Sequence, residues 1–258
     1  MSAQLQKPYY RIFRPGVSPE TYIDEPQNAS NRLQLSRSYL LLEEELKTIF
    51  NYIEPCDENL ETYSMQLYAL LLRACTEVEL NCKLILQANH QPPNRRHYTM
   101  YDYKKIEQSS KLSKYIVKLR WRKSQGDTID YTPSELHPFE EFGMNDAHSP
   151  SWYQAYNAVK HNREQKFENA NLCNCLNAIA GVLVLLYSQF GPMCIETFGS
   201  NLPWINWDNL YLDPIDANIL FELVPPDLSE WPEEEQYGFN WTKADSETQH
   251  EFVCFPFQ

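Results

Sequence analysis

From Ser38 to Ile53, the residues Leu41, Leu42, Leu46, Ile49, Phe50 and Ile53 recur at steps of three and four. That spacing predicts a helix with one apolar face, stopped by Pro55. Asn59 is placed to cap a second helix, with Thr62 at its third position, running to about Ala88 before Pro92-Pro93. Its apolar stripe includes Met65, Tyr68, Leu71, Leu72, Cys75, Val78, Cys82, Ile85 and Leu86. A third helix is expected from Asp102 to about Tyr115. The period then changes to two: Val117, Leu119 and Trp121 face one way, Lys118, Arg120 and Arg122 the other. With Gln125-Gly126-Asp127 as a turn and Thr128 to Tyr131 returning, this predicts a hairpin over about 115–132 with a basic outer row. A continued helix also fits the apolar residues up to Leu119.

Ser149-Pro150-Ser151 opens the next helix, with Ser151 and Gln154 spaced as a capping box. Helical pattern persists to Tyr187 or Phe190, where Gly191-Pro192 ends it. The stripe through Tyr156 and Val159 does not continue into that of Leu172, Leu176, Ile179, Leu183 and Leu186, so a kink is expected near His161 to Lys166. These elements predict an all-α bundle over residues 38–190 with a small β-hairpin insertion. Residues 1–37 read as an N-terminal extended arm. Residues 191–258, with four of the six tryptophans, read as an irregular acidic arm packed on the same domain.

Composition narrows the function classes. The 258 residues are 43% hydrophobic and 14% aromatic, which excludes a disordered chain. Seven Gly against 17 Pro argue against a glycine-rich phosphate loop. No stretch is expected to span a membrane, and Met1 to Arg14 has no apolar segment of the signal-peptide kind, so a soluble, cytoplasmic protein is expected. The seven cysteines form no C-x-x-C pair, so free thiols packed as small apolar side chains are expected. Neither a metal site nor a cofactor is indicated.

The net charge of −13 is unevenly spread. Residues 191–258 hold 13 acids and one base, Lys243, whereas Arg95 to Lys123 hold ten bases and two acids. Either the two regions neutralise each other, or the basic block meets a polyanion such as RNA while the tail limits access. The interleaved Tyr98, Tyr101, Tyr103, Tyr115 and Trp121 suit stacking on single-stranded nucleic acid. Lys118, Arg120 and Arg122 are the expected RNA contacts of that block.

Two further constellations carry candidate chemistry. Asn157 and His161 are four apart on one helix, with Lys160, Arg163 and Glu164 nearby. An imidazole there suits general acid–base work near neutrality, and Lys160 and Arg163 suit phosphate binding. A plain surface helix fits the same spacing. On the second helix, Arg73–Glu77 and Glu79–Lys83 are i,i+4 pairs. Glu79 falls at the border of the apolar stripe and needs a polar partner, for which the helix carrying His161 is the natural donor.

Leu71-Leu72-Arg73-Ala74-Cys75-Thr76-Glu77-Val78-Glu79-Leu80-Asn81-Cys82-Lys83, followed by Tyr156-Asn157-Ala158-Val159-Lys160-His161-Asn162-Arg163, resembles the HEPN superfamily. The name stands for higher eukaryote and prokaryote nucleotide-binding. The resemblance covers about residues 38–190. It implies a helical bundle and a role with RNA or a nucleotide in a bacterial stress or defence system of the toxin–antitoxin or anti-phage type. It also implies pairing of two copies as a homodimer, for which Trp152, Tyr153 and Tyr156 would be the exposed aromatics. Many members are metal-independent ribonucleases with an Arg, four to six arbitrary residues and then the His, often with a polar residue directly after the Arg. Here the Arg position holds Tyr156, and none of the six histidines has an Arg five to seven positions before it. The resemblance therefore implies His161 as acid or base and Asn157 as its polar companion, with weak or degenerate ribonuclease potential. The alternative is a non-catalytic helical module that binds a partner protein.

Overall fold

The computed structural model describes residues 4–16, 28, 30–121, 123–125, 128–130, 134–146, 149–195, 215–216, 220–238 and 252–258; for 123–125, 128–130 and 215–216 it describes the backbone alone. The described helices are α1 (Arg32–Ile49), α2 (Met65–Ala88), the short α3 (Met100–Lys104) and α4 (Ile106–Ser110), α5 (Ser151–His161), α6 (Arg163–Lys166) and α7 (Leu172–Phe190). The strands are β1 (Ile116–Leu119), β2 (Lys123–Gln125), β3 (Thr128–Asp130), β4 (Ser134–Leu136), β5 (Ile215–Asp216) and β6 (Phe221–Val224).

The core helix is α7. All its residues are buried except Cys173, Asn174 and Asn177, because α1, α2 and α5 surround it. It forms its most extensive contact with α2. By length and mean hydropathy (1.5), the segment Leu172–Met193 would suffice to cross a membrane, contrary to the expectation of no such stretch. Its burial, 83% of the apolar window, is that of the central helix of a soluble bundle. A row of buried polar groups crosses it: Arg11 Nη1 donates to Gln189 Oε1 at 2.9 Å, and Gln189 Nε2 donates to Asn81 Oδ1 at 2.9 Å. These bonds satisfy polar atoms that the apolar interior would otherwise strand.

The all-α expectation is overturned. The fold is mixed α/β, with a four-stranded antiparallel sheet in the order β4-β1-β6-β5, β5 being a two-residue edge. Val117 and Leu119 are buried and their neighbours Ile116 and Lys118 less so, the period-two pattern read from the sequence. The partners of β1 were not foreseen. Its two neighbours are β4 and, from the C-terminal region, β6, with Lys118 opposite Glu222. The hairpin itself forms separately from β2 and β3, with Gln125 paired to Thr128. The region 191–258 is therefore no mere irregular arm: Phe221 and Leu223 of β6 are fully buried.

Several boundaries move for local reasons. α1 begins at Arg32, six residues earlier than read, and Leu41 of its expected stripe is half exposed. α2 begins at Met65, because Ser64 accepts a bond from the Leu67 N–H while Asp57–Asn59 forms a 3₁₀ turn. Asn59 instead donates to the Glu54 carbonyl. The single helix expected over 102–115 divides into α3, α4 and a 3₁₀ turn, since Lys111 adopts a left-handed φ of 52°. No capping box forms at Ser151: its N–H donates to Glu141 at 2.8 Å, and Gln154 donates to the Ser149 carbonyl. The break between His161 and Leu172 is where the change of stripe put it.

The N-terminal arm is part of the core. Ile12 and Phe13 are buried, and the Phe13 N–H donates to the Ser188 carbonyl at 2.8 Å. Leu5 and Tyr9 bridge in parallel to Tyr237 and Val253, tying the two ends of the chain together. Phe13 also explains Gly191, which ends α7 at φ 66°, ψ −155°. A Cβ at that position would lie 2.5 Å from the Phe13 ring. Gly191→Ala is expected to cost about 2–4 kcal/mol, from a backbone conformation reserved to glycine plus overpacking. Urea unfolding checks this; an unchanged midpoint would contradict it.

Candidate nucleic-acid interface

The cysteines come first, because they bear on redox chemistry. Cys75, Cys82, Cys175 and Cys194 are buried free thiols, and burial pushes all four up, Cys194 to about 12. A thiol held so far from its thiolate form is a packing group.

The basic block divides into two parts with different fates. Lys111 pairs with Glu235 at 3.1 Å and Lys114 with Glu230 at 3.2 Å. Lys118 and Arg120 both reach Glu222, at 3.7 and 2.8 Å. The β1–β6 register forces this last arrangement, since it sets Lys118 directly across from Glu222 and leaves Arg120 beside it. Lys111 also lies 5.7 Å from the centre of the Trp231 ring. Four of the block's cations are thus matched by acids of the C-terminal region, the neutralising one of the two readings. Arg122 lies outside the described residues.

At the end of α5 the arrangement differs. His161 is exposed in the last turn, with Asn157 half-buried one turn earlier. Lys160 donates to the Tyr156 hydroxyl at 2.8 Å, and its ammonium sits 4.8 Å from that ring's centre. The hydrogen bond from Lys160 to Tyr156 holds the lysine above its usual range. Arg163 stacks over Tyr68 of α2 at 5.5 Å, and Lys166 is exposed at the end of α6. Among the described residues, no carboxylate pairs with Lys160, His161, Arg163 or Lys166. Glu164 and Glu168 lie on the same stretch and are exposed.

Tyr156 occupies the position where the resemblance would have an arginine, and it is buried at 3% exposure. Trp152 and Tyr153 are buried too, at 2% and 9%. The three aromatics expected on the surface instead pack into the core, because Trp152 donates to the Pro138 carbonyl at 2.7 Å and rests edge-on against Phe139. They offer no aromatic face for a second copy.

The polar residues of α2 rearrange relative to the i,i+4 reading. Arg73 pairs with Glu45 of α1 rather than with Glu77. Burial raises Glu77. Glu79 accepts the Tyr153 hydroxyl at 2.7 Å, so its partner comes from the helix that carries His161. Burial first, and that bond second, push the Tyr153 phenol well above its ordinary value. Lys83, left without Glu79, turns to a cleft of about 570 Å³ between α2 and the 93–103 segment.

That cleft is also lined by Glu79, Gln87, Arg96, His97 and Tyr98. Its wall is pinned by Asp102, fully buried, which accepts from the Asn94 N–H (2.9 Å), the Thr99 N–H (2.8 Å) and the Thr99 hydroxyl (3.0 Å). Sequence reasoning placed Arg96 in the basic block and left His97 and Gln87 without a role. The signal available was Thr99-x-x-Asp102, a capping pattern that fixes the segment just before it. Comparison with family models, with curated proteins and with solved structures gave no match, so the site is argued from the chain's own residues.

Proposed function

We propose that this chain is an RNA- or nucleotide-associated protein whose polyanion-facing surface is the end of α5 and α6. The observation that carries the reading is a contrast of charge. Lys160, Arg163 and Lys166, on the same stretch of chain as His161, have no carboxylate partners among the described residues, whereas Lys111, Lys114, Lys118 and Arg120 are matched by C-terminal acids. Exposed, unpaired cations beside an imidazole suit phosphate contacts. A place in a bacterial stress or defence system, a cytoplasmic location and the pairing of two copies belong to the same proposal and rest on the HEPN resemblance.

A buried Tyr156 favours a chain that binds RNA over one that cleaves it quickly. An electrostatic donor at the reacting phosphate is worth about 10²–10³ in rate, and Tyr156 carries no charge to supply it. The same observation favours the second reading, a non-catalytic module that docks a partner protein. Titration with labelled single-stranded RNA separates the two. We expect affinity that falls steeply as salt rises from about 50 to 200 mM, the signature of phosphate contacts. No binding even at the low end, by protein that is folded, would leave the partner-protein reading.

A further inference from the structure

We propose that the cleft between α2 and the 93–103 segment is a mononucleotide site, distinct from the cations at the end of α5. It deepens the nucleotide-associated reading above, and its residues are separate from those that carry that reading.

Lys83, Arg96 and His97 line the cleft, and none of them is ion-paired among the described residues. Arginine and lysine together are the usual recognition set for a phosphate, the planar fork fixing orientation and the ammonium adding charge. Leu80, 40% exposed, and Pro93 supply an apolar patch in the same cleft. Tyr98 stands beside them, stacked on Tyr103 with ring centres 6.3 Å apart and planes 18° from parallel. The lining thus joins a cationic group of side chains to an aromatic and apolar one, the two poles that a molecule flat at one end and anionic at the other would engage. Glu79 adds an acceptor to the lining, suited to a ribose hydroxyl or an exocyclic amine.

The walls are formed in advance. Asp102 fixes the 94–99 backbone through three hydrogen bonds, and the Tyr98 hydroxyl donates to the Gln91 carbonyl at 2.6 Å. A ligand therefore has little loop ordering to offset. The volume of about 570 Å³ lies within the range of small-molecule sites.

The test is calorimetric titration of the full chain with adenosine 5′-monophosphate, adenosine and inorganic phosphate in parallel. We expect the nucleotide to bind, and each half-molecule to bind at least about tenfold more weakly, since each engages one pole. Arg96→Gln and Lys83→Gln are exposed changes, and each is expected to weaken the nucleotide by about tenfold to a hundredfold, the loss of one charge-assisted contact. Arg163→Glu is expected to leave nucleotide affinity unchanged while weakening RNA. Equal binding of adenosine and the nucleotide would overturn the phosphate pole, and equal binding of phosphate would overturn the flat wall. No nucleotide binding by wild-type protein that still binds RNA would remove this site while leaving the α5 reading intact. Loss of nucleotide binding in Arg163→Glu would show that the two sites are one and would also overturn the proposal.

Discussion

Arg14→Ala is expected to destabilise the protein by about 3–5 kcal/mol, among the largest effects of any single side chain here. Arg14 is 2% exposed, yet its described hydrogen-bond partners are carbonyls. Nε and Nη2 donate to the Ser109 oxygen at 3.1 and 2.9 Å, and Nη1 donates to the Glu235 oxygen at 3.1 Å. The guanidinium also faces three rings: Trp231 at 5.2 Å, Phe255 at 5.3 Å and Tyr9 at 5.4 Å. One side chain thus joins the N-terminal arm, the end of α4 and two stretches of the C-terminal region. Truncation strands the buried Ser109 carbonyl, at about 1–3 kcal/mol, and the part-buried Glu235 carbonyl at less, removes the ring contacts and leaves a cavity; release of a desolvated charge offsets part of that. Arg14→Met keeps the stem and is expected to cost less than alanine. Urea unfolding of both variants checks the ranking, and equal losses would show that the guanidinium alone, with nothing from the stem, carries the effect.

The second large effect depends on pH. Glu43 is 2% exposed on α1, and burial raises it to about 7, outweighing Lys47 at 3.7 Å. Its Oε1 and the neighbouring Tyr39 hydroxyl are both buried without a hydrogen-bond partner. In the unfolded chain the same carboxyl titrates near 4.5. Between those two values the folded protein holds a proton that the unfolded chain has released. Stability from this group is therefore greatest below pH 4.5, falls as pH rises to about 7, and is level above it. Glu43→Gln removes the titration and supplies an amide donor for Tyr39. At pH 8 the variant is expected to be more stable than wild type by about 3 kcal/mol, the shift of roughly two and a half units converted to free energy. Near pH 4.5 the difference should be small. A variant that is less stable than wild type at pH 8 would show that Lys47 wins over burial. Glu77, also raised by burial, changes stability in the same direction, so the comparison is variant against wild type at each pH.

Helix periodicity was the most legible feature of this chain. The end of α2 at Ala88, the break after His161 and the stop at Gly191 follow from Pro92-Pro93, from the change of apolar stripe and from a glycine-proline pair. Those are local signals, carried by neighbours in sequence. The sheet was not legible in the same way. β1 is four residues long, and its partners stand about 15 residues away and over 100 residues away. Nothing in Ile116–Leu119 names Phe221–Val224 as a neighbour. The buried arginines of the N-terminal arm escaped for a related reason, because a short polar and aromatic stretch has no period to read, and Arg14 is satisfied only by groups brought from afar.

The candidate site shows the same divide. That Glu79 needs a donor was readable from its place at the border of an apolar stripe, and Tyr153 supplies it. That Lys118 and Arg120 are neutralised rested on a strand register invisible to spacing. The expectation of Trp152, Tyr153 and Tyr156 as exposed aromatics came with the resemblance and its paired copies, not from the burial pattern of the helix. In the fold, Trp152, Tyr153, Tyr156 and Val159 are buried as the helix packs against α7 and α2, while Ser151, Gln154 and the last turn reach solvent.

The claim that joins these findings is that Lys111, Lys114, Lys118 and Arg120 are satisfied within the fold, so RNA contacts fall to the end of α5 and α6. Fluorescence anisotropy with one labelled single-stranded RNA at low salt tests it directly, on Arg163→Glu with Lys166→Glu and on Lys118→Gln with Arg120→Gln. We expect the first pair to lose about tenfold or more in affinity and the second to change it by less than about twofold, with both variants folded by circular dichroism. Loss confined to the second pair would place the RNA on the β1 row and contradict the account.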